Sequence, residues 1–209
     1  MRIYDIFRSI QGESTQAGVP MDFIRLAGCD LSCSYCDTAA ARDPSGGREM
    51  TVTEVLAALP QPPLPHVEIT GGEPMLQVNE VNALIAALVD AGRTVLVETS
   101  GAHPIERLDA RAIRIVDVKT PGSGMAHANL WQNLAHLTPR DEVKFVLRGR
   151  ADYDWSKDVL ARYRLAETVP VLFSPVEGSL DPRTLAEWIL ADALPVRLNL
   201  QMHKYLGLP

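Results

Sequence analysis

The stretch Met21-Asp-Phe-Ile-Arg-Leu-Ala-Gly-Cys29-Asp-Leu-Ser-Cys33-Ser-Tyr-Cys36 joins a short apolar run to the only three cysteines of this 209-residue chain. Three thiolates within eight residues can converge on one soft metal centre, and iron–sulfur clusters are held mainly by cysteine thiolates. A set of three leaves one corner of a four-iron cube without a protein ligand, which keeps a position open for chemistry. The pattern therefore predicts a 4Fe–4S cluster bound by Cys29, Cys33 and Cys36.

Two other uses of the cysteines are open on sequence alone. A structural disulfide would leave one thiol over, and disulfides are rare inside cells. A zinc site would need a fourth ligand, for which His66 or Asp37 is available. We prefer the cluster to both alternatives.

Length, composition and charge limit the class of protein. A chain of 209 residues predicts a single domain, residues 1–209, with a substantial core. The net charge of -6 argues against broad binding to a phosphate backbone, so we expect no direct contact with nucleic acid. No apolar run reaches the roughly 18 residues of a spanning helix, and the first residues lack a signal-peptide core. We expect a cytoplasmic protein that does not bind membranes and keeps its thiols reduced.

Short apolar runs rich in β-branched residues alternate with longer stretches of helical period. The runs predict strands at Met21–Leu26, Val67–Thr70, Thr94–Glu98, Ile113–Val118, Glu142–Leu147, Val169–Phe173 and Val196–Leu200. The stretches predict helices at Thr51–Leu59, Asn79–Ala91, Asn129–Leu137, Tyr153–Leu165 and Pro182–Ala191. Near-continuous apolar strands alternating with helices predict an α/β fold, an incomplete TIM-type barrel of parallel strands with outer helices.

Polar groups follow five of the predicted strands. They are the cysteine loop, Thr70-Gly-Gly-Glu-Pro74, Glu98-Thr-Ser-Gly101, Asp117-Val-Lys119 and Ser174-Pro175. Active residues of barrel-type folds gather in the loops at the carboxyl ends of strands. The five groups are therefore expected to share one mouth of the barrel.

Each of these groups also has a structural explanation. Glycines in Thr70–Pro74 let the backbone approach a ligand closely, but a plain strand-to-helix turn uses the same residues. Carboxylates at Glu98 and Asp117 suit an ammonium or a ribose, and Lys119 suits a carboxylate. All three side chains are equally compatible with solvated strand ends.

Three further residues have two interpretations each. Thr38, after Asp37, offers a hard oxygen ligand of the kind Mg²⁺ accepts, or it caps a helix. Arg25 lies inside an apolar strand, where its guanidinium suits a bound carboxylate unless the strand is at a sheet edge and the side chain faces water. His203 lies near the end of the sequence, where a histidine is usually exposed, although histidine is also a common functional residue.

The cysteine spacing, the aromatic Tyr35 and the Gly-Gly-Glu-Pro turn resemble the radical S-adenosylmethionine superfamily. In that superfamily the free iron binds the amino and carboxylate groups of S-adenosylmethionine, and the reduced cluster cleaves its sulfonium to a 5′-deoxyadenosyl radical. Nearly the whole chain resembles one family, the 7-carboxy-7-deazaguanine synthases of the queuosine pathway, a tRNA modification pathway. The matching segments are Ser9–Glu13, Phe23–Leu26, Cys29–Thr38, Ile69–Pro74, Glu98–Gly101 and Gln201–Lys204.

The family resemblance implies a lyase that contracts 6-carboxy-5,6,7,8-tetrahydropterin to 7-carboxy-7-deazaguanine with loss of ammonia. It also implies a Mg²⁺ ion held by Thr38, a homodimer and a flavodoxin-type electron donor. The implied cofactor site consists of Tyr35, Cys36, Asp37, Gly72, Glu98, Ser100, Asp117, Val118, Lys119, Ser174, Pro175 and Val176. The implied substrate site, completed by the N- and C-terminal segments, consists of Ile10, Gln11, Gly12, Arg25, Thr70, His203 and the terminal carboxylate of Pro209.

Two other functions use the same cysteines. An activating enzyme would abstract hydrogen from a glycine of a partner protein, but Gln11-Gly-Glu13 and Arg25 would then have no obvious purpose. A non-catalytic zinc-binding or cluster-carrying module is the alternative outside enzymes. Cleavage of S-adenosylmethionine stimulated by a small pterin would distinguish the predicted enzyme from both.

Overall fold

The computed structural model describes residues 1–209, whose strands form one nine-stranded sheet. The strands are β1 (Arg2–Ile10), β2 (Pro20–Leu26), β3 (Arg48–Glu49), β4 (His66–Gly71), β5 (Thr94–Thr99), β6 (Ile113–Asp117), β7 (Glu142–Leu147), β8 (Val171–Pro175) and β9 (Arg197–Leu198). Their spatial order is β3-β1-β2-β4-β5-β6-β7-β8-β9. Strands β2 and β4 to β9 pair in parallel, whereas β1 runs antiparallel to both β2 and β3.

Five α-helices accompany the sheet. They are α1 (Val52–Ala58), α2 (Val78–Asp90), α3 (Arg150–Tyr163), α4 (Pro182–Ala191) and α5 (Met202–Leu206). Side-chain caps fix two of the starts: Thr51 and Glu54 form a capping box at α1, and Asp181 caps α4 ahead of Pro182. No helix combines the length and the apolar character that crossing a membrane requires.

The two faces of the parallel strands differ in chemistry. On β4, Val67 and Ile69 belong to a core cluster that includes residues of α1 and α2, whereas Glu68 and Thr70 line a cavity. On β7, Val143 and Phe145 belong to a second core cluster with α3 and α4, whereas Lys144 lines the cavity. Because successive side chains of a strand point to opposite faces, each strand supplies both core and site.

The fold confirms the predicted incomplete barrel of seven parallel strands with outer helices. The prediction that the strands are almost continuously apolar is wrong, because polar side chains at their inner positions line the cavity. Strand β1 was not predicted; its sequence, Arg2-Ile-Tyr-Asp-Ile-Phe-Arg-Ser-Ile10, mixes charged and apolar residues without the pattern of a buried strand. It runs antiparallel beside β2, which is therefore an interior strand.

The predicted helix Asn129–Leu137 is also wrong. The chain forms the 3₁₀ segment Trp131–His136 there, preceded by another at Ala126–Ala128. The side-chain amide of Asn129 bonds both main-chain groups of Lys119, and that of Asn133 bonds three main-chain groups of the loop after β5. These amides tie the segment to neighbouring loops at the expense of a regular helix.

Candidate active site

One cavity of about 500 Å³ lies on the inner side of the sheet. Its wall includes the cysteine loop after β2, the ends of β4 to β6, the loop after β1, and helix α5. The register between β1 and β2 pairs Ile10 with Pro20, so the loop after β1 lies at the opposite end of β2 from the cysteine loop. The cavity therefore extends from the cysteines down to the base of the barrel.

The cysteine loop is held by hydrogen bonds to two neighbouring parts of the chain. Its first residues bond the 3₁₀ segment Ala39–Arg42, since Gly28 N and Cys29 N donate to the carbonyls of Ala41 and Arg42 at 2.8 and 3.0 Å. Its middle bonds the segment after β6, where Ser34 donates to main-chain carbonyls through both its N–H and its hydroxyl. These contacts fix the loop through its backbone.

Tyr35 ties the same loop to the far side of the barrel. Its hydroxyl donates to the carbonyl of Val146 on β7 at 3.0 Å and lies 3.3 Å from the hydroxyl of Thr120. Burial raises the pKa of Tyr35 to about 12, so the phenol stays a neutral donor. The aromatic residue of the cysteine motif thus braces the loop across the cavity.

All three cysteines are free, half-buried and part of the cavity wall. The free thiols exclude the disulfide interpretation in this structure. His66 lies at the start of β4, at the opposite end from the cysteine loop, so it is not a fourth metal ligand beside these thiols. Three free thiols that line one cavity, in a chain without a fourth cysteine, fit a cluster with one open iron.

The Thr70–Pro74 turn packs directly on the cysteine loop. A Cβ atom on Gly72 would lie 2.0 Å from the carbonyl oxygen of Gly28, so only glycine fits there. Glu73 is fully buried and holds the next strand end: its carboxylate accepts from the Thr99 hydroxyl, Ser100 N and Met75 N at 2.7 to 2.8 Å. Glu73 therefore has a structural role, whereas the backbone at Gly72 faces the cavity.

Asp117 and Lys119 form a pair at the end of β6. The Lys119 ammonium donates to Asp117 Oδ2 at 2.7 Å, while Asp117 Oδ1 is buried without a hydrogen-bond partner. Burial opposes the charge on Lys119, but the negative charges of Asp117 and Cys33 and the hydrogen bond to Asp117 together outweigh burial and raise the pKa of the lysine. Both residues line the cavity near the cysteines, so the pair places fixed charges beside a bound cofactor such as S-adenosylmethionine.

A network of charges crosses the lower cavity. The Lys144 ammonium donates to Glu98 and, at 2.9 Å, to Glu13. Burial opposes its charge, but these two carboxylates outweigh burial and raise the pKa of Lys144. Burial likewise acts to raise the pKa of Glu98, and Lys144 reverses this to a net lowering. Glu98 also accepts from the Thr70 hydroxyl at 3.1 Å, so the network reaches the next strand.

Arg25 and Thr38 meet at the cavity wall. Arg25 donates to the Thr38 hydroxyl at 3.0 Å and its guanidinium lies 5.6 Å from the Phe7 ring centroid. The Thr38 hydroxyl donates in turn to Asp37, and it makes no cap to the 3₁₀ segment that follows, so the helix-cap interpretation is wrong. The water-facing interpretation of Arg25 is also wrong, because β2 is interior and the side chain lines the cavity.

Oxygen and nitrogen donors cluster beside Thr38. Glu13, Asp37 and His203 place one potential ligand atom each within 4.8 Å of one another. Gln201 bridges the two carboxylates, donating to Glu13 at 2.9 Å and to Asp37 at 3.1 Å. Carboxylate oxygens are preferred ligands of Mg²⁺, so this corner fits a hard cation.

Helix α5 closes the base of the cavity. Met202 N donates to the Gly12 carbonyl at 2.9 Å, and a Cβ on Gly12 would lie 2.1 Å from His203 Nδ1. Pro209 packs beside β1, where its carbonyl group accepts from the Ser9 hydroxyl at 2.9 Å. His203 is therefore half-buried in the wall and is not an exposed tail residue.

The structure brings most of the predicted site residues together. Those that line the cavity are Ile10, Gln11, Gly12, Arg25, Cys29, Cys33, Tyr35, Cys36, Asp37, Thr38, Thr70, Gly72, Glu98, Ser100, Asp117, Lys119, Val176, His203 and Pro209. Three do not line it: Val118 packs in the second core cluster, Ser174 accepts from Asn199 at 2.8 Å, and Pro175 is buried beside it. Their cofactor contacts stay predictions.

Sequence reasoning missed other residues of the cavity wall. Glu68 and Lys144 occupy inner positions of β4 and β7, and Gln201 and Lys204 lie beside His203. A charged residue in an otherwise apolar strand, as in Val67-Glu-Ile or Val143-Lys-Phe, is the signal that would have found the first two.

Comparison with known proteins agrees with this geometry. Residues 23–118 match the radical SAM superfamily. The chain is 45% identical to the 7-carboxy-7-deazaguanine synthase of Chlorobaculum tepidum over all of this chain and 95% of that protein. It is 41% identical to that of Koribacter versatilis, over all of this chain and 98% of that protein. The crystal structure of QueE from Escherichia coli superposes with a TM-score of 0.77, covering 97% of this chain and 94% of that one at 26% identity.

The fold and the three-cysteine loop thus define a radical SAM enzyme, which implies a 4Fe–4S cluster and S-adenosylmethionine. Within that superfamily, the chain belongs to the 7-carboxy-7-deazaguanine synthase family. These relatives do not favour the activating-enzyme alternative.

Proposed function

We propose that this enzyme is a lyase that converts 6-carboxy-5,6,7,8-tetrahydropterin to 7-carboxy-7-deazaguanine and ammonia in 7-deazapurine biosynthesis. The product and ammonia together account for every atom of the substrate, so the conversion needs no net oxidant or reductant. One observation carries the proposal: a single cavity joins the three free cysteines to a polar pocket at the base of the barrel. The full-length similarity to proteins named for this product supports it.

Cys29, Cys33 and Cys36 hold the cluster in this proposal. When bound, the cluster and S-adenosylmethionine supply a radical able to abstract hydrogen from the pterin. The protein positions the cofactor through the backbone of Gly72, whose lack of a side chain allows close approach. Asp117 lies in the same wall and holds Lys119 beside the ligand through their ion pair.

The remaining cofactor contacts are proposed from the same wall. Tyr35, Asp37, Glu98, Ser100, Lys119 and Val176 line it. Val118, Ser174 and Pro175 complete the assignment on the family resemblance alone. Glu98 is held ionised by Lys144, so it can accept from an ammonium or a ribose hydroxyl.

The pterin occupies the base of the cavity. Arg25 is the cation for its carboxylate, because its only hydrogen bond from the side chain is to the Thr38 hydroxyl and the other guanidinium donors stay available. Gln11, Thr70 and His203 offer polar atoms around the same space. Ile10, Gly12 and Pro209 complete the wall.

Mg²⁺ is proposed at Thr38. The hydroxyl of Thr38 lies beside Arg25, so an ion bound there would share the substrate carboxylate with the guanidinium. Glu13, Asp37 and His203 surround the same corner. Holding the substrate between a fixed cation and Arg25 restricts its orientation during ring contraction.

Three further properties belong to the proposal. Residues 1–209 act as a single domain in the cytoplasm, where cysteine thiols stay reduced. The enzyme is a homodimer, and a flavodoxin-type protein donates the electron. Size-exclusion chromatography with light scattering tests the homodimer. Turnover with reduced flavodoxin in place of dithionite tests the electron donor.

Anaerobic incubation of the reconstituted protein with S-adenosylmethionine, dithionite, Mg²⁺ and the tetrahydropterin tests the function directly. Mass spectrometry should detect a product lighter than the substrate by one ammonia, together with 5′-deoxyadenosine. Cleavage of S-adenosylmethionine without any change in the pterin would refute the proposed substrate. A Cys33→Ala variant, which lacks one cluster ligand, is the negative control.

A further inference from the structure

Glu68 is a buried acid in the cavity wall to which the proposed mechanism gives no role. It lies on the inner face of β4, beside Phe23 of β2 in the sheet register, and is only 3% exposed. Unpaired buried carboxyl groups are costly, so a residue of this kind requires an explanation.

Gln11 provides the first part of that explanation. The Gln11 Oε1 atom accepts from Glu13 N at 2.9 Å, which leaves its Nε2 group to donate to a carboxyl oxygen of Glu68. Because the backbone N–H can only donate, the orientation of the amide is fixed. The Glu68 oxygen that faces Gln11 is therefore an acceptor.

The second carboxyl oxygen of Glu68 faces the cavity. It has no protein hydrogen-bond partner. Unlike Asp117 Oδ1 and Ser156 Oγ, which also lack a partner, it is not fully enclosed by protein. Since Glu68 lines the cavity, this oxygen is open to whatever the cavity binds.

The surroundings of Glu68 favour its neutral form. Burial and then the negative charge of Glu98 raise the pKa of Glu68 well above its ordinary value; Glu13 adds to this, and Lys144 opposes it without reversing it. Because one oxygen is an acceptor to Gln11, a proton on this carboxyl group would sit on the oxygen that faces the cavity. In that form Glu68 would present an O–H donor there, as buried carboxylic acids do in other enzyme sites.

We propose that Glu68 is a further substrate-binding residue, which holds the Gln11 carboxamide and donates a hydrogen bond to an acceptor atom of the pterin's pyrimidinone ring. The ring carbonyl oxygen and the ring imine nitrogen are acceptors of the required kind, whereas the substrate carboxylate is served by Arg25. This inference rests on the proposed function, since it takes the pterin as the ligand. It adds a specificity contact on the inner face of β4.

Paired variants test the inference. Glu68→Gln keeps both an acceptor for Gln11 and a donor toward the cavity, whereas Glu68→Met keeps the volume and loses both. The dissociation constant of 6-carboxy-5,6,7,8-tetrahydropterin is measured anaerobically by calorimetry without reductant, so that no turnover occurs. We expect the Met variant to bind at least about tenfold more weakly, and the Gln variant to bind within about threefold of wild type.

Glu142→Gln is the matched control. Burial also raises the pKa of Glu142, but this carboxyl group accepts from Thr15 and does not line the cavity. Its pterin affinity should equal that of wild type. In all variants iron content should be unchanged, and KM should rise in the Met variant with a smaller change in kcat.

Two results would overturn the inference. Wild-type affinity in the Met variant would show that Glu68 makes no contact of consequence. Equal loss in the Gln and Met variants would show that the site needs an ionised carboxylate and not a donor. If wild-type protein neither binds nor converts the pterin, the proposed function fails, and that outcome is separate from both.

Discussion

Gly72 lies against the carbonyl group of Gly28, so that the Gly-Gly-Glu-Pro turn and the cysteine loop meet backbone to backbone. Glu73 N donates to the same Gly28 carbonyl at 2.7 Å, which locks the approach. The turn thus serves two purposes at once: it exposes backbone to the cofactor and it supports the loop that carries the cluster ligands.

The first prediction follows from this contact. In a Gly72→Ala variant the new Cβ would lie 2.0 Å from the Gly28 oxygen, and both partners are backbone. The two loops must separate, so we expect iron incorporation to fall and cleavage of S-adenosylmethionine to drop at least about tenfold. Gly149→Ala is the control, because a Cβ there meets nothing within 4 Å. Normal cleavage by Gly72→Ala would contradict the backbone role.

The second prediction concerns Glu73. Its buried carboxylate accepts three hydrogen bonds, and a Gln in its place would turn an NH₂ group toward at least one of those donors. We expect Glu73→Gln to lower the free energy of unfolding by about 1–3 kcal/mol, measured by denaturant titration. The exposed Glu106→Gln substitution should leave it unchanged. A stability equal to wild type would show that Glu73 is not the tie between these strand ends.

The third prediction concerns the cation. Thr38→Ala removes the proposed Mg²⁺ ligand, so we expect a weaker activation by Mg²⁺ and an intact iron–sulfur absorbance. Product formation is measured across a Mg²⁺ titration, beside a Ser45→Ala control in the neighbouring exposed turn. An identical Mg²⁺ response in Thr38→Ala would remove Thr38 from the ligand set.

The fourth prediction concerns pH. Burial would raise the pKa of Asp141, but hydrogen bonds from Arg114 and from the backbone outweigh burial and lower it. A folded-state pKa below the unfolded value of about 3.9 stabilises the fold above about pH 4, and this contribution is lost as the pH falls through the folded-state pKa. Asp141→Asn should therefore lower the free energy of unfolding at neutral pH by roughly 3 kcal/mol, since it leaves Arg114 buried without its charge partner.

The same variant should show a flatter loss of stability in acid than wild type, measured by urea unfolding from about pH 6 to about pH 3. Asp158→Asn, on an exposed position of α3, should follow the wild-type curve. A wild-type acid profile in Asp141→Asn would mean that other carboxyl groups control it.

Local sequence predicted the parts of the site that are local in structure. The cysteine loop, the glycine turn and the strand ends at Glu98 and Asp117 each occupy a few consecutive residues, and the periodicity of β4 to β8 fixed which edge they share. The prediction of a helix at Asn129–Leu137 failed because the side-chain amides of this segment bond to loops that are distant in sequence. Such contacts cannot be inferred from neighbouring residues alone.

The lower cavity was harder to predict for the same reason. Lys144 meets Glu13 and Glu98 only because β7, β5 and the loop after β1 face one another in the folded barrel. Strand β1 itself gave no clear signal, since its partner β2 and not its own pattern determines its position.

The anchoring of the cysteine loop has a consequence for how the enzyme matures. Its hydrogen bonds to Ala41, Arg42, Gly122, Ser123 and Val146 are all made by backbone, hydroxyl or phenol groups, and none uses a thiol. Small zinc domains fold around their metal, whereas none of the contacts that fix this loop requires one. The cluster would then be inserted into a polypeptide that is already folded. Removal of iron by a chelator would abolish activity while leaving the thermal melting temperature largely unchanged.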